Sequence, residues 1–239
     1  MVLSVFVRIY TLYMEDRYLK WAKFNRKRIV KAYLTRFEYP SSEHPSIIFM
    51  AGLPGAGKTE FASRLLPQLD NKMLHIDLDE IAENIKEYNP KIAHLFRPGA
   101  NIILERLYDQ SIKKRIDILM DGTLGHDKAL ENIERAILHY NYTARIYFIL
   151  QDPIKAWEVT QLREKVEFRS IDAEGFAISY YKMLDNLNKL QQKFGDKISI
   201  SVVIKRPNNS FKEINDNVSN ISYYTDPTLT YNELLAKIK

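Results

Sequence analysis

The chain has 239 residues, 46% of them hydrophobic and 27% charged, enough apolar material to bury one α/β core with additions. It contains no cysteine, which excludes disulfides, thiolate nucleophiles and Cys-bound zinc and suits a reducing compartment. The net charge of +5 is unevenly spread: residues 1–36 hold nine Lys and Arg against Glu15 and Asp16, so the remainder is slightly negative and is not, by composition, a nucleic-acid-binding surface.

The opening run MVLSVFVRIYTLYM has no basic leading region, is interrupted by Arg8, and is too short to span a bilayer. A cytoplasmic protein with no membrane partner is expected. Residues 15–37 read as a basic amphipathic helix. Its aromatics (Tyr18, Trp21, Phe24, Tyr33, Phe37) call for burial and its charges for solvent. Pro40 and Pro45 bracket a linker, so residues 1–40 are expected to form an arm packed on the main domain. A nucleic-acid anchor is the alternative reading of its charge.

After the arm the chain alternates. Residues 46–51 read as a strand and 58–66 as a helix; 72–77 as a short strand and 80–88 as a helix; 101–115 as a long helix. Strand 116–120 precedes helix 126–140, strand 144–150 precedes helices 153–168 and 172–194, and 197–205 is a last strand. This alternation over 41–205 predicts a mostly parallel β-sheet with helices on both faces, in which ligands sit at the carboxyl ends of the strands. Residues 206–225 are polar and turn-rich and are expected to be a loop, with a closing helix over 228–239 on the same domain.

Between the first strand and its helix stands Gly52-Leu53-Pro54-Gly55-Ala56-Gly57-Lys58-Thr59, which fits G-x-x-x-x-G-K-[ST], the phosphate-binding loop. Glycines let successive backbone N–H groups curl around an anion, and the following helix adds its positive end. Lys58 is expected to reach the β- and γ-phosphates and the Thr59 hydroxyl to hold Mg²⁺. A chance match occurs in about one chain of this length in a hundred, and here a strand precedes and a helix follows. The expected ligand is ATP or GTP with Mg²⁺.

Three further stretches bear on what happens to the γ-phosphate. In Leu74-His-Ile-Asp77-Leu-Asp79 a strand ends in carboxylates, and Asp77 or Asp79 is placed to accept the proton of an acceptor hydroxyl, while the other caps the next helix. In Ile116-Asp-Ile-Leu-Met-Asp121-Gly-Thr123 a strand closes on an acid suited either to Mg²⁺ or to the acceptor. Arg163 and Arg169, beyond the fourth strand, are placed to close over the phosphates and offset transition-state charge.

The order PGAGKTE, I-D-x-D, hydrophobic-D-G-T and then paired arginines after a D-P strand end resembles the zeta toxin family over residues 46–205. That resemblance implies a P-loop kinase, usually the toxin of a bacterial toxin–antitoxin pair, which phosphorylates UDP-N-acetylglucosamine. It implies Lys58 and Thr59 as the phosphate lysine and Mg²⁺ hydroxyl, and Asp79 as catalytic base. It also implies Asp121 and Thr123 on the amino sugar, and Arg163 and Arg169 as lid arginines. An antitoxin protein is then an expected partner. Two departures concern the acceptor pocket: the run Gly122-Thr-Leu-Gly-His126 lacks the family's basic residue after G-T, and the interval between the arginines is short. Two other readings stay open on the residues alone. One is a kinase acting on an antibiotic, a nucleoside, NAD or a nucleic-acid 5′ end. The other is an ATP-gated interaction module without catalysis.

Overall fold

The structure, a computed structural model, describes residues 2–36, 38–69, 72–167, 171–206, 210–226 and 228–239. In chain order the elements are α1 (Val2–Arg36), β1 (Ser46–Ala51), α2 (Lys58–Leu65), β2 (Leu74–Asp77), α3 (Leu78–Glu83), α4 (Arg97–Lys113) and β3 (Ile118–Asp121). There follow α5 (Asp127–Tyr140), β4 (Thr143–Leu150), α6 (Pro153–Glu167), α7 (Ala173–Phe194), β5 (Ile198–Lys205), β6 (Phe211–Asn215) and α8 (Tyr231–Ile238).

The strands form one sheet in the order β2-β3-β1-β4-β5-β6. The first five are parallel, and β1, in the interior, is buried along nearly its whole length, as its unbroken apolar run requires of a strand covered on both faces. Ala51, Asp77, Asp121, Leu150 and Lys205 close their strands on the same edge of the sheet. Asp77 and Asp121 are direct register partners across β2 and β3, so two carboxylates are held side by side there.

Three expectations need correction. Residues 206–225, a loop by their polarity, contain β6, antiparallel to β5. In its sequence Phe-Lys-Glu-Ile-Asn, Phe211 packs edge-on to Phe61 at 5.3 Å while Ile214 is 50% exposed, so β6 is held by its ladder and one aromatic anchor and shows no strand-like apolar pattern. Helix α4 begins at Arg97 rather than near 101, with Pro98 in its first turn, where a missing N–H has no cost. Helix α3 ends at Glu83 instead of continuing to 88, and the backbone turns over at Glu87, whose φ is 67°.

The arm packs along α4. Tyr18 is buried and stacks on Phe96 with ring centroids 4.0 Å apart. Gly99 allows the approach, since a Cβ there would lie 3.0 Å from Ala22 Cβ. Arg17–Glu87 at 2.9 Å and Arg36–Glu80 at 3.1 Å are exposed pairs that add little, so apolar contact holds the arm. One expected burial fails: Phe24 is 88% exposed, and Phe37 lies outside the described residues. At the other terminus, α8 opens on a capping box of Thr230 and Glu233 and is pinned by Tyr181 Oη donating to Leu229 O at 2.7 Å. Among the described residues no helix is long and apolar enough to cross a membrane.

Candidate active site

The buried run of β1 stops at Ala51, and the chain curls through residues 52–57 into α2. Gly55 and Gly57 have φ of 79° and 93°, the left-handed region that a side chain disfavours. Space forbids one as well. A Cβ on Gly55 would press into Ala156 O and stand 2.8 Å from Thr160 Oγ1, and one on Gly57 would stand 2.5 Å from Lys205 Nζ. The start of α2 receives no side-chain cap, so its first N–H groups keep their donors for an anion. Lys58 folds back over this loop and donates from Nζ to Leu53 O at 2.9 Å. Burial draws its pKa down to about 8, against the opposing pull of Asp121, while the Arg163 charge adds to the lowering.

The acids converge on the same place from β2 and β3. Thr59 Oγ1 donates to Asp121 Oδ2 at 2.9 Å. Asp77 caps α3, accepting from Asp79 N at 2.8 Å, and burial followed by the neighbouring Asp121 charge raises its pKa. Asp79 is therefore the acid of the pair whose side chain is not the helix cap. It stands in the first turn of α3, 37% exposed, with Arg97 Nη2 3.9 Å from its Oδ1. One ligand atom each of His75, Asp77 and Asp121 lies within 4.8 Å of the others, and His75 Nε2 is buried without a hydrogen-bond partner. The Thr59 hydroxyl and two carboxylates are hard oxygen donors beside an uncapped phosphate loop, a set that fits Mg²⁺.

Lys58, Thr59, Asp77, Asp79 and Asp121 line one cleft of about 740 Å³. Pro54, Gly55, Lys58 and Thr59 form one end of it, Asp77, Asp79, Asp121 and Thr123 lie along it, and Arg163 enters from α6. The wall away from the loop carries several polar side chains among apolar ones. Arg97, Asn101 and Glu105 come from α4, and His126 and Lys128 from the start of α5. Glu105 accepts from Asn132 Nδ2 at 3.0 Å and lies 3.8 Å from Lys128 Nζ. His126 caps α5 through Nδ1, which accepts from Ala129 N at 3.2 Å, and burial lowers its pKa. Thr123 ties the two loops together: its carbonyl accepts from Gly52 N at 3.4 Å and its Oγ1 from Gly125 N at 3.2 Å.

The sequence-predicted residues Gly52 to Thr59, Asp77, Asp79, Asp121, Thr123 and Arg163 are thus brought together, while Arg169 lies outside the described residues. Sequence reasoning missed Arg97, Asn101, Glu105 and Lys128. For Arg97 a signal existed. Arg97-Pro98 places proline at a helix start, which sets the arginine at the mouth of the cleft rather than in a preceding loop. Lys128 supplies a cation two residues beyond the expected run, as the second residue of α5, where a search confined to 122–126 does not reach.

The family model described as Zeta toxin matches residues 30–219. No curated protein matches the chain significantly. Among solved structures the chain is similar to one from the PezAT chromosomal toxin–antitoxin system of the human pathogen Streptococcus pneumoniae, at 20% identity and a TM-score of 0.60, covering 82% of this chain and 80% of that one. It is also similar to AvrRxo1-ORF1:AvrRxo1-ORF2 with sulphate ions, at 10% identity and a TM-score of 0.61, covering 91% of this chain and 73% of that one. The AvrRxo1-ORF1:-ORF2 structure with ATP gives 9% identity and a TM-score of 0.58 over the same shares, 91% and 73%. At these identities the likeness to the solved structures is one of fold.

Proposed function

The chain belongs to the zeta toxin family, and we propose that it is an ATP-dependent kinase that moves the γ-phosphoryl group to a hydroxyl of UDP-N-acetylglucosamine, acting as the toxin of a toxin–antitoxin pair. The observation that carries this reading is the shared cleft: Asp79 opens into the same space as Lys58 and Thr59 of the phosphate loop. A nucleotide switch has no use for a carboxylate facing its γ-phosphate across a space large enough for a second substrate.

The amides of 52–59 and the start of α2 hold the triphosphate tail, and Lys58 exchanges its partner Leu53 O for β- and γ-oxygens. The acceptor hydroxyl enters from the α4 and α5 side. Its oxygen attacks the γ-phosphorus as its proton passes to Asp79, and ADP leaves with the electrons of the broken bond. Arg97, 3.9 Å from Asp79 Oδ1, helps to orient that carboxylate in the cleft. Arg163 offsets charge on the moving group, with Arg169 proposed for the same task. Thr59 and Asp121, with Asp77 beside them, are the residues that would hold Mg²⁺, which would supply neutralisation of phosphate charge. Lys128 and Asn101 of the far wall, with Thr123 along the cleft, suit a polar, anionic acceptor such as a nucleotide sugar.

The test is incubation of a bacterial metabolite extract with protein, ATP and Mg²⁺, followed by mass spectrometry. Phosphorylated UDP-N-acetylglucosamine is expected to appear with ADP. Transfer to another metabolite removes the acceptor assignment and keeps the kinase, and ATP binding with no phosphorylated product removes both. For the partner, co-expression with the neighbouring reading frame is expected to relieve growth arrest caused by the wild type but absent for Asp79→Asn.

A further inference from the structure

Lys205 is the last residue of β5, and only 5% of its side chain is exposed. Its Nζ lies 3.3 Å from Glu60 Oε2 in the first turn of α2. The same Nζ would stand 2.5 Å from a Cβ on Gly57, so the ammonium rests on the last glycine of the phosphate loop. Beneath it is the Phe211 ring of β6, whose centroid is 5.7 Å from Nζ. Arg64 lies over that ring too, at 5.0 Å, and pairs with the other oxygen of Glu60 at 2.9 Å. Glu60 thus already has a cation without Lys205. A single half-exposed carboxylate shared with an arginine is thin compensation for a cation kept this far from water.

Strand order shows which part of a nucleotide this cation meets. Asp77 and Asp121 end β2 and β3, on one side of β1, while Lys205 ends β5, on the other. The phosphate loop follows β1 and lies between them. A triphosphate whose γ end faces Asp79 therefore runs its α end and ribose toward β5. We infer that Lys205 is a nucleotide-binding residue whose ammonium leaves Glu60 to contact the α-phosphate of ATP, while Arg64 retains Glu60. Lys58 and Lys205 then flank the phosphates from opposite sides of the loop. The Phe211 ring beside the ammonium limits the ordering entropy lost when the contact forms. This inference rests on the reading that the loop holds ATP.

The experiment is calorimetric titration of ADP, which carries the α-phosphate but undergoes no transfer, with Mg²⁺ present and melting temperatures measured in parallel. Lys205→Met is expected to weaken ADP binding about 10- to 100-fold, the range for losing a hydrogen bond to a charged group. Lys205→Arg is expected to restore most of it. In the transfer assay Lys205→Met raises the KM for ATP while kcat changes by only a few fold, since the γ end is untouched. Glu60→Gln separates contact from scaffolding: it is expected to leave ADP binding equal or tighter, because a negative charge beside the phosphates is gone. If Glu60→Gln instead weakens binding as much as Lys205→Met, the lysine serves only the ion pair and the inference is overturned. Wild-type affinity in Lys205→Met overturns it as well, and Lys205→Gln gives the same readout if the Met variant does not fold. Absence of ADP binding in the wild type overturns the loop reading itself, a distinct failure.

Discussion

Gly55→Ala puts the phosphate loop under strain from two directions. At φ 79° a methyl-bearing residue is held in the left-handed region, at a cost of about 1–2 kcal/mol. The methyl would also stand 2.8 Å from Thr160 Oγ1 and press harder still on Ala156 O, two groups joined by their own 2.8 Å hydrogen bond in α6. To reach ordinary carbon–oxygen separation, α6 must retreat by roughly 1 Å, and such overpacking costs about 1–3 kcal/mol. The sum, about 2–5 kcal/mol, lowers the melting temperature by roughly 5–15 °C in a chain of this size. The functional consequence travels further, because α6 carries Arg163 into the cleft. ATP binding is expected to weaken at least about tenfold, as the loop amides and the arginine lose their common alignment. Thermal melts and calorimetry with ATP measure both effects. Gly122→Ala is the control for the melts: nothing lies within 4 Å of its missing Cβ and its φ is not positive, so its melting temperature should stay within about 1 °C of wild type. A Gly55→Ala protein that melts like wild type and binds ATP with unchanged affinity would refute the packing argument.

Asp79→Asn should lower phosphoryl transfer by about 10²- to 10⁴-fold, the range for a lost general base, with ATP affinity by calorimetry nearly unchanged; near-normal turnover would displace Asp79 from that role. Lys58→Met should abolish transfer yet stabilise the metal-free apoprotein. An unfolded lysine holds its proton to about pH 10.5, whereas folded Lys58 releases it near 8. Unfolding therefore takes up a proton between those values, and wild-type stability rises with pH across that window. The advantage of the Met variant should be largest below pH 8, about 1–3 kcal/mol, and vanish near pH 10, as read from denaturant melts in EDTA; an advantage that does not depend on pH would contradict the burial of that ammonium. Asp77→Ala should cost about 1 kcal/mol through loss of the α3 cap, whereas Asp77→Asn keeps a capping oxygen, relieves repulsion from Asp121 and should match or exceed wild type. Equal melting temperatures for the two variants would show that the cap contributes nothing.

What the sequence determined by itself is local in origin. The glycine spacing of 52–57, the lysine and threonine after it and the apolar run before it fix a strand, a curl of amides and a helix start within fourteen residues, 46–59, because backbone dihedrals and hydrogen-bond donors are properties of neighbouring residues. The parallel sheet was legible for a related reason: alternating apolar runs and amphipathic helices state which faces must be buried, though not their exact ends. Long-range pairing settled the rest. Which of Asp77 and Asp79 caps α3 depended on how β2 runs into that helix. That Arg97 stands near Asp79 depended on α4 packing against α3, and that Lys205 rests on Gly57 depended on β5 lying one strand away from β1 in the sheet. β6 escaped notice because an edge strand is held by backbone hydrogen bonds to a partner, and those leave almost no mark on side-chain polarity. Residues tens of positions apart acquire a shared chemistry only when the sheet order makes them neighbours, and no window of sequence contains that order.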